Sequence, residues 1–500
     1  HRNSWRRPPG FDFGEQVLSR NLEAHWAQLA AKVESELLAR VPENNIRPRL
    51  EPTRRAVELL GDPQKSYRVI HVTGTNGKTS TTRFIERILR EHGLRTGRFT
   101  SPHLVKLNER IAIDGEPVSD QVLVELWEDS KPILEIVDAE LAAAGEDPLT
   151  FFEALAALGF AIFADAPVDV LVLEVGMGGT WDSTNVADGD VAVFTPIGLD
   201  HMDRLGNTIS EIAETKAGII KAGAMVVSAL QHSDAYAALR SAADFKAESW
   251  AQLGTEFHIT AREDEGFGQR FSLKGLAGEY HDLFLPLSGD YQVENLAVAV
   301  AAVEAFLGGG QHRIMDDVLR VAVADVSSPG RLQVLSRSPL TLLDAAHNPQ
   351  GAGVLANALR NSFGPRRFVG VLATLADKDA LGVLRELEPV LEEVVITKST
   401  SARALPVYDL EDLAIEVFGE HRVRTAEHFA SAIEDARVMV GEGIGDSIII
   451  TGSVSLVGDV LRMQQTEAEL EARDDDWAEN ESDHSGTRSQ DLDYEDEQFN

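Results

Sequence analysis

One decapeptide, HVTGTNGKTS (His71–Ser80), narrows the folds open to this chain more than any other stretch. It follows YRVIHVT, an apolar, β-branched run, and leads into TSTTRFIERILREHG, an amphipathic helical pattern stopped by Gly93. Strand, glycine turn and helix in that order dictate a parallel α/β unit with the loop at the carboxyl edge of its sheet. Such a loop cradles phosphates: backbone N–H groups and the helix N-terminus face the anion, Lys78 reaches the β- and γ-oxygens, and Thr79 lies beside Mg2+. The general pattern has a glycine five residues before the Gly77-Lys78 pair, where this chain has Val72 and supplies Gly74 instead. Gly74, Thr75, Asn76, Gly77, Lys78 and Thr79 are therefore candidate nucleotide contacts; the plainer alternative is a glycine turn before a helix.

The alternation continues beyond this unit. VDVLVLEV (Val168–Val175) and DVAVFTPI (Asp190–Ile197) are short runs suited to buried parallel strands. Helical patterning precedes the loop from about Glu15 to Arg40, and follows over Tyr291–Phe306 and Met315–Val323. Phe257–Leu285 alternates polar and apolar residues, which predicts an antiparallel excursion. SSPGR (Ser327–Arg331) is a turn-rich break and the expected hinge. After it, LTLLDAAH, RRFVGVLAT, EEVVITKS and DSIIITGS alternate with helical patterns, predicting a second three-layer α/β domain. A chain of 500 residues is also too long for one ordinary core. The expected organisation is a disordered N-terminus (1–15), a central ATP-binding domain (16–331), a C-terminal domain (332–464) and an acidic disordered tail (465–500).

Charge and composition exclude several function classes. Forty-six basic residues against 81 acidic ones give a net charge of −35, and acids crowd the last segment, Gln465–Asn500. That balance argues against a nucleic-acid scaffold, which presents a basic face. Cysteine is absent, which excludes disulfides and thiolate metal sites and agrees with a reducing, cytoplasmic setting. ALAALGFAIFA (Ala154–Ala164) is far too short to span a bilayer, and HRNSWRRPPG is not followed by the apolar segment of a secretory signal. A soluble, cytoplasmic protein without membrane or nucleic-acid partners is expected.

Other candidate residues cluster where strands end. Glu174 closes VDVLVLE at the carboxyl edge, where a carboxylate suits a Mg2+ ligand, although strand-end glutamates often simply face solvent. His201, in PIGLDHMD, also follows a strand, and a lone loop histidine usually has no special role. Lys216 is more informative: in NTISEIAETKAGIIK its i±3 and i±4 neighbours are Ile212, Ala213, Ile219 and Ile220. It either snorkels from the edge of this apolar stripe or is buried with a depressed pKa, and a neutral amine takes up CO2 to become a carbamate ligand. TFFE (Thr150–Glu153) reads as a capping box, and SPHL (Ser101–Leu104) as an X-Pro turn. Asp344-Ala-Ala-His347-Asn-Pro ends the first strand of the second domain and is either a site edge or a helix-initiating turn.

HVTGTNGKTS, SPHL with NERI, TFFE, EVGMGGTWDSTN, TPIGLDHMDRLG, ETKAGIIK, GDYQVENLAVA, SPGR, LLDAAHNP, LADKD and ITGSVSLVGDV stand in this order between about Ile46 and Met463. Together they resemble the folylpolyglutamate synthase/dihydrofolate synthase family of the Mur ligase superfamily. The resemblance implies a P-loop NTPase-type parallel-sheet domain and a smaller Rossmann-like C-terminal domain. It implies that ATP is held by Gly74–Thr79, Asn295, Arg331 and Asp344. Ser101, Glu174, His201 and carbamylated Lys216 would hold Mg2+, expected as two ions, with K+ as a further cation. Thr150, Trp181, Asp182 and Ser183 would surround the pterin, and His347 and Ser453 the incoming glutamate. Lys78, Lys216, His201, Asp344 and His347 would form the catalytic set. Thr180 stands where the family often has Arg. The implied reaction adds L-glutamate to folates, to dihydropteroate, or to both, through an acyl phosphate in a monomeric enzyme that binds only small molecules. The rival reading, a murein-precursor ligase acting on a UDP-muramyl peptide, calls for a nucleotide-sugar domain ahead of the loop, whereas the residues before Gly74 read as largely helical.

Overall fold

The structure, a computed structural model, describes residues 12–42, 48–441 and 446–485. Two mostly parallel sheets organise it. The first has eight strands, and the strand feeding the glycine loop, Arg68–Thr73, lies at its centre between Val170–Glu174 and Val191–Phe194, parallel to both. Alternation along these strands sends Ile70, Val72, Val170 and Val172 to one face. Val69, Leu171 and Leu173 go to the other. The first face packs on helices Lys78–Glu91 and Asp290–Gly308, the second on Asp120–Ala143 and Phe151–Asp165. Each fully buried aliphatic side chain contributes about 1.5–3 kcal/mol relative to exposure, so the loops at the sheet's carboxyl edge rest on a rigid base.

The region expected to be antiparallel forms a three-stranded sheet, with Gly268–Lys274 between His258–Glu265 and Glu279–Leu285. The second large sheet has six strands and begins at Gln333. Leu340–Leu343, Asp446–Thr451, Arg367–Leu372, Leu391–Ile396 and Val423–Thr425 run parallel, with Gln333–Arg337 antiparallel at the edge. Asp344 follows its strand directly, so the carboxyl edges of both sheets supply site loops.

Two expectations about the ends are corrected. Asp12–Leu38 is one helix, so the N-terminal helix starts before Glu15; residues 1–11 lie outside the described residues. At the other end a helix runs Val454–Ser485, through the position where a structureless tail was expected to begin. The segment QQTEAELEAR that crosses Gln465 consists mostly of strong helix formers, and its charge does not oppose helix formation. Residues 486–500 of the expected tail lie outside the described residues. Among the described residues no helix is long and apolar enough to cross a membrane.

Candidate active site

The glycine loop is built by close backbone approach. Gly74 adopts φ +152, and a Cβ there would sit 1.9 Å from the Thr195 hydroxyl. Gly77, at φ +86, caps the helix that begins at Lys78, and a Cβ there would meet the Asn295 side chain at 2.6 Å. The Lys78 ammonium donates to the carbonyls of Gly74 (3.2 Å) and Thr75 (3.1 Å), folded over its own loop. Thr79 Oγ1 lies 2.9 and 3.0 Å from the two Glu174 oxygens, and the Ser101 N–H approaches Oε2 at 3.4 Å. Glu174 pairs in register with Val72, which brings its carboxylate level with the start of the loop. Burial raises its pKa to about 6, against the opposing pull of Lys78.

Lys216 is buried, at 4% exposure, so the snorkelling alternative does not hold. Helix Ile209–Lys216 buries Ile212 and Ala213, and this stripe carries the amine inward to the Gly74 carbonyl, 2.9 Å away. Burial, followed by repulsion from Lys78, lowers its pKa to about 7. Thr180 closes the end of the same helix: its N–H (2.9 Å) and hydroxyl (3.0 Å) both donate to the Thr215 carbonyl. The departure from Arg at this position thus places a short side chain against Gly218, where a Cβ would stand 2.1 Å from the Thr180 hydroxyl.

Across the cleft, the Asp344 carboxylate accepts the backbone N–H groups of Leu332 and Ala346, both at 2.8 Å, and burial raises its pKa against the pull of Arg331. His347 Nδ1 lies 2.9 Å from the Ala345 carbonyl, which assigns Nδ1 the proton and leaves Nε2 as an acceptor. Burial lowers the pKa of both His347 and His201 to about 4, so each imidazole is neutral near pH 7. His201 adopts φ +50 at the start of the short helix Met202–Leu205. Its ring turns toward Lys378 Nζ, 3.4 Å away.

Asp200, Lys378, Asn348 and Gln350, at the centre of the cleft, carried no signal strong enough to single them out. Asp200 accepts from Lys378 Nζ (2.9 Å) and Asn348 Nδ2 (3.0 Å), and its carboxylate lies 3.9 Å from His347 Nε2. Burial alone would raise its pKa, but His201, Lys378 and His347 outweigh it and hold the carboxyl below its usual range. Asn76 bonds Gln350 at 3.0 Å and exchanges longer amide contacts with Asn348, so the phosphate loop touches the C-terminal domain directly. Asp200 adjoins His201, and Lys378 lies in LADKD; these neighbours were the available signals, but nothing local announces their pairing.

All the candidate residues except Ser453 line one cavity of about 770 Å³ between the two sheets' edges. Loop residues 74–79, Ser101, Glu174, Lys216, His201, Asn295, Arg331, Asp344 and His347 form its wall, with Thr150, Trp181, Asp182 and Ser183 at one end. Thr150 and Glu153 form the expected capping box, and Arg49 engages both Glu153 oxygens at 2.9 Å. Ser453 is fully buried behind the wall, accepting from the Ser455 N–H at 3.1 Å. Among the described residues, no three His, Asp or Glu side chains converge to hold an ion, so Glu174 and His201 do not belong to one such cluster. Instead, the Glu174 carboxylate and Thr79 hydroxyl present hard oxygen donors beside the phosphate loop. That set fits Mg2+, which takes one or two carboxylates and completes its shell with water and substrate phosphates.

Residues 72–303 match the Mur ligase middle domain, and residues 330–454 match the Mur ligase glutamate ligase domain. The chain is 43% identical over 448 residues to the dihydrofolate synthase/folylpolyglutamate synthase of Mycobacterium tuberculosis, covering 85% of this chain and 92% of that protein. It is 36% identical over 422 residues to the folylpolyglutamate synthase of Lacticaseibacillus casei, covering 83% and 95%. Among solved structures, the Mycobacterium tuberculosis folylpolyglutamate synthase complexed with ADP and AMPPCP superposes with a TM-score of 0.83 at 42% identity, covering 88% of this chain and 98% of that one. Escherichia coli FolC in complex with ADP superposes with a TM-score of 0.75 at 28% identity, covering 88% and 98%.

Proposed function

Because the chain belongs to the folylpolyglutamate synthase/dihydrofolate synthase family of Mur-type ligases, we propose that this cleft joins L-glutamate to a folate carboxylate with the residues assigned below. The enzyme is an ATP-dependent ligase that adds glutamate to folates. The observation that supports the residue roles best is the meeting of the phosphate loop, Glu174 and Lys216 from one sheet with Asp344, His347 and Lys378 from the other around one cavity.

In the first step a carboxylate oxygen of the folate attacks the γ-phosphorus, the bond from the β,γ-bridging oxygen breaks, and ADP departs with those electrons. In the second, the glutamate amine attacks the acyl carbon, phosphate leaves with the C–O electron pair, and the amine loses its proton. Neither step needs a protein nucleophile, so the residues position reactants and balance charge. The loop N–H groups and Lys78 hold the phosphates, Asn295 and Arg331 contact the nucleotide, and Asp344 orders the hinge backbone beside it. Thr150, Trp181, Asp182 and Ser183 hold the pterin end. His347, neutral with Nε2 bare, receives the amine of glutamate, whose carboxylate meets Lys378. Ser453 supports that end from behind through the Ser455 backbone.

Glu174, Thr79 and Ser101 would hold one Mg2+. When bound, the ion neutralises charge on the phosphate oxygens. Lys216, whose pKa burial lowers to about 7, would add CO2 and release a proton to become a carbamate, which with His201 would supply ligands for a second ion. The protein is monomeric and cytoplasmic in this reading. Supplying ATP and glutamate with tetrahydrofolate, dihydropteroate or a UDP-muramyl substrate separately, and measuring phosphate release and product mass, tests it. Amide product with either pteridine substrate is expected; turnover confined to the muramyl substrate would overturn the assignment.

A further inference from the structure

His71 occupies the strand that feeds the phosphate loop, three residues before Gly74, yet it points away from the nucleotide and does not line the cavity. Its side chain is fully buried, and Nε2 lies 2.9 Å from Thr184 Oγ1. The Thr184 hydroxyl makes a short hydrogen bond to Asp182 Oδ1, and the Thr184 N–H donates to the same oxygen at 2.9 Å. Asp182 Oδ2 accepts from the Met177 N–H at 2.8 Å. Asp182 lines the cavity beside Trp181 and Ser183.

Proton counting fixes the direction of this chain. A hydroxyl carries one hydrogen, and a carboxylate only accepts, so Thr184 donates to Asp182 and must accept from His71. His71 therefore carries its proton on Nε2 and leaves Nδ1 bare. Nδ1 is buried without a partner, a position that a bare lone pair tolerates better than an N–H would. Burial, aided by the Lys221 ammonium, lowers the His71 pKa to about 3, which keeps the ring neutral. Consecutive donors polarise one another, so the imidazole strengthens the Thr184 hydroxyl as a donor to Asp182. That support opposes burial, which pushes the Asp182 carboxyl up and favours its neutral form.

We infer that His71 is a positioning residue for the folate: through Thr184 it keeps Asp182 oriented, with its acceptor lone pairs available, in the wall of the folate end of the cavity. This rests on the assignment of that end to the folate. The coupling is lateral, from the central strand to the neighbouring loop, so the nucleotide end is untouched although His71 is closer to it in sequence.

The full-length enzyme distinguishes this role from a purely structural one. His71→Leu, which removes the donor, is expected to raise KM for the folate substrate about tenfold, the scale of one net hydrogen bond in a buried chain. KM for ATP should stay within about twofold. His71→Gln places an amide N–H where Nε2 stood and should restore the folate KM to within about threefold of the parent. Thr184→Val should match His71→Leu, and combining the two should add little, because both break one chain. If His71→Leu does not fold, Thr184→Val and His71→Gln carry the comparison. Equal impairment by Leu and Gln, a parallel rise in KM for ATP, or additive effects of the pair would overturn the inference. Failure of the parent enzyme to use folates at all would instead remove the functional reading on which it depends.

Discussion

At Lys216 and Glu174 burial disfavours the charged form of a single side chain. Lys216→Ala is expected to lose most of the turnover, with added bicarbonate giving no recovery; a variant that retains parental turnover would remove Lys216 from the reaction. The apolar neighbours Ile212 and Ala213 made its burial legible in the sequence, because helical spacing reports the face a residue occupies. Its target, the Gly74 carbonyl 142 positions away, was not legible. Glu174 has its folded pKa raised from 4.5 to about 6. Between those values the folded protein holds more protons than the unfolded chain, so this group's contribution to stability falls as pH rises through the window. A cation bound at the carboxylate reverses the penalty only where the group is ionised. The extra thermal stabilisation by ADP with Mg2+ over ADP alone should therefore be largest above pH 6 and shrink below it. A shift independent of pH would place the ion elsewhere.

At the level of elements, the helix Ile209–Lys216 delivers the amine and has its own start signal. Thr208 Oγ1 accepts the Glu211 N–H at 3.2 Å, and Glu211 Oε2 accepts the Thr208 N–H at 3.1 Å. Thr208→Ala should lower stability by about 1 kcal/mol in urea unfolding while leaving kcat at 25 °C nearly unchanged. The cap is at the opposite end of the helix from Lys216, and the Thr180 contacts hold the near end. A large fall in kcat at unchanged stability would show that the helix moves during turnover. Strand and helix order were legible along most of the chain because periods of 2 and 3.6 are local properties. The helix Val454–Ser485 was missed because charge density was read as a barrier to structure, although Glu, Ala, Gln and Arg favour helix.

At the scale of the molecule, the two halves meet through apolar contacts, with Leu104, Phe267 and Tyr291 packed on the C-terminal core, and through polar contacts between the carboxyl edges of their sheets. Asp200 bridges them through Lys378 and Asn348, and Asn76 adds its bond to Gln350. Lys378 is only 9% exposed, so Asp200→Ala leaves a buried ammonium without its carboxylate. A cost of roughly 2 kcal/mol, about 30-fold in kcat/KM for glutamate, is expected in steady-state kinetics, with the ATP dependence much less affected. Parental values would mean that the bridge is not needed for closure. These pairings span 178 and 148 positions, and no periodicity or local motif encodes so distant a contact. The sequence therefore made the two edges of the site visible, and only the fold shows how they meet.

The Gly74 carbonyl accepts from two ammonium groups, Lys78 and Lys216, at 3.2 and 2.9 Å. Burial, and then the Lys78 charge beside it, disfavours the charged form of Lys216. Phosphates arriving at the loop would draw Lys78 onto themselves and add negative charge nearby, and both changes would return Lys216 toward its protonated form. Carbamylation of Lys216, as proposed, would then have a chronology, with carbon dioxide loading before the nucleotide, so an enzyme stripped of CO2 and then saturated with ATP should recover more slowly than one given CO2 first.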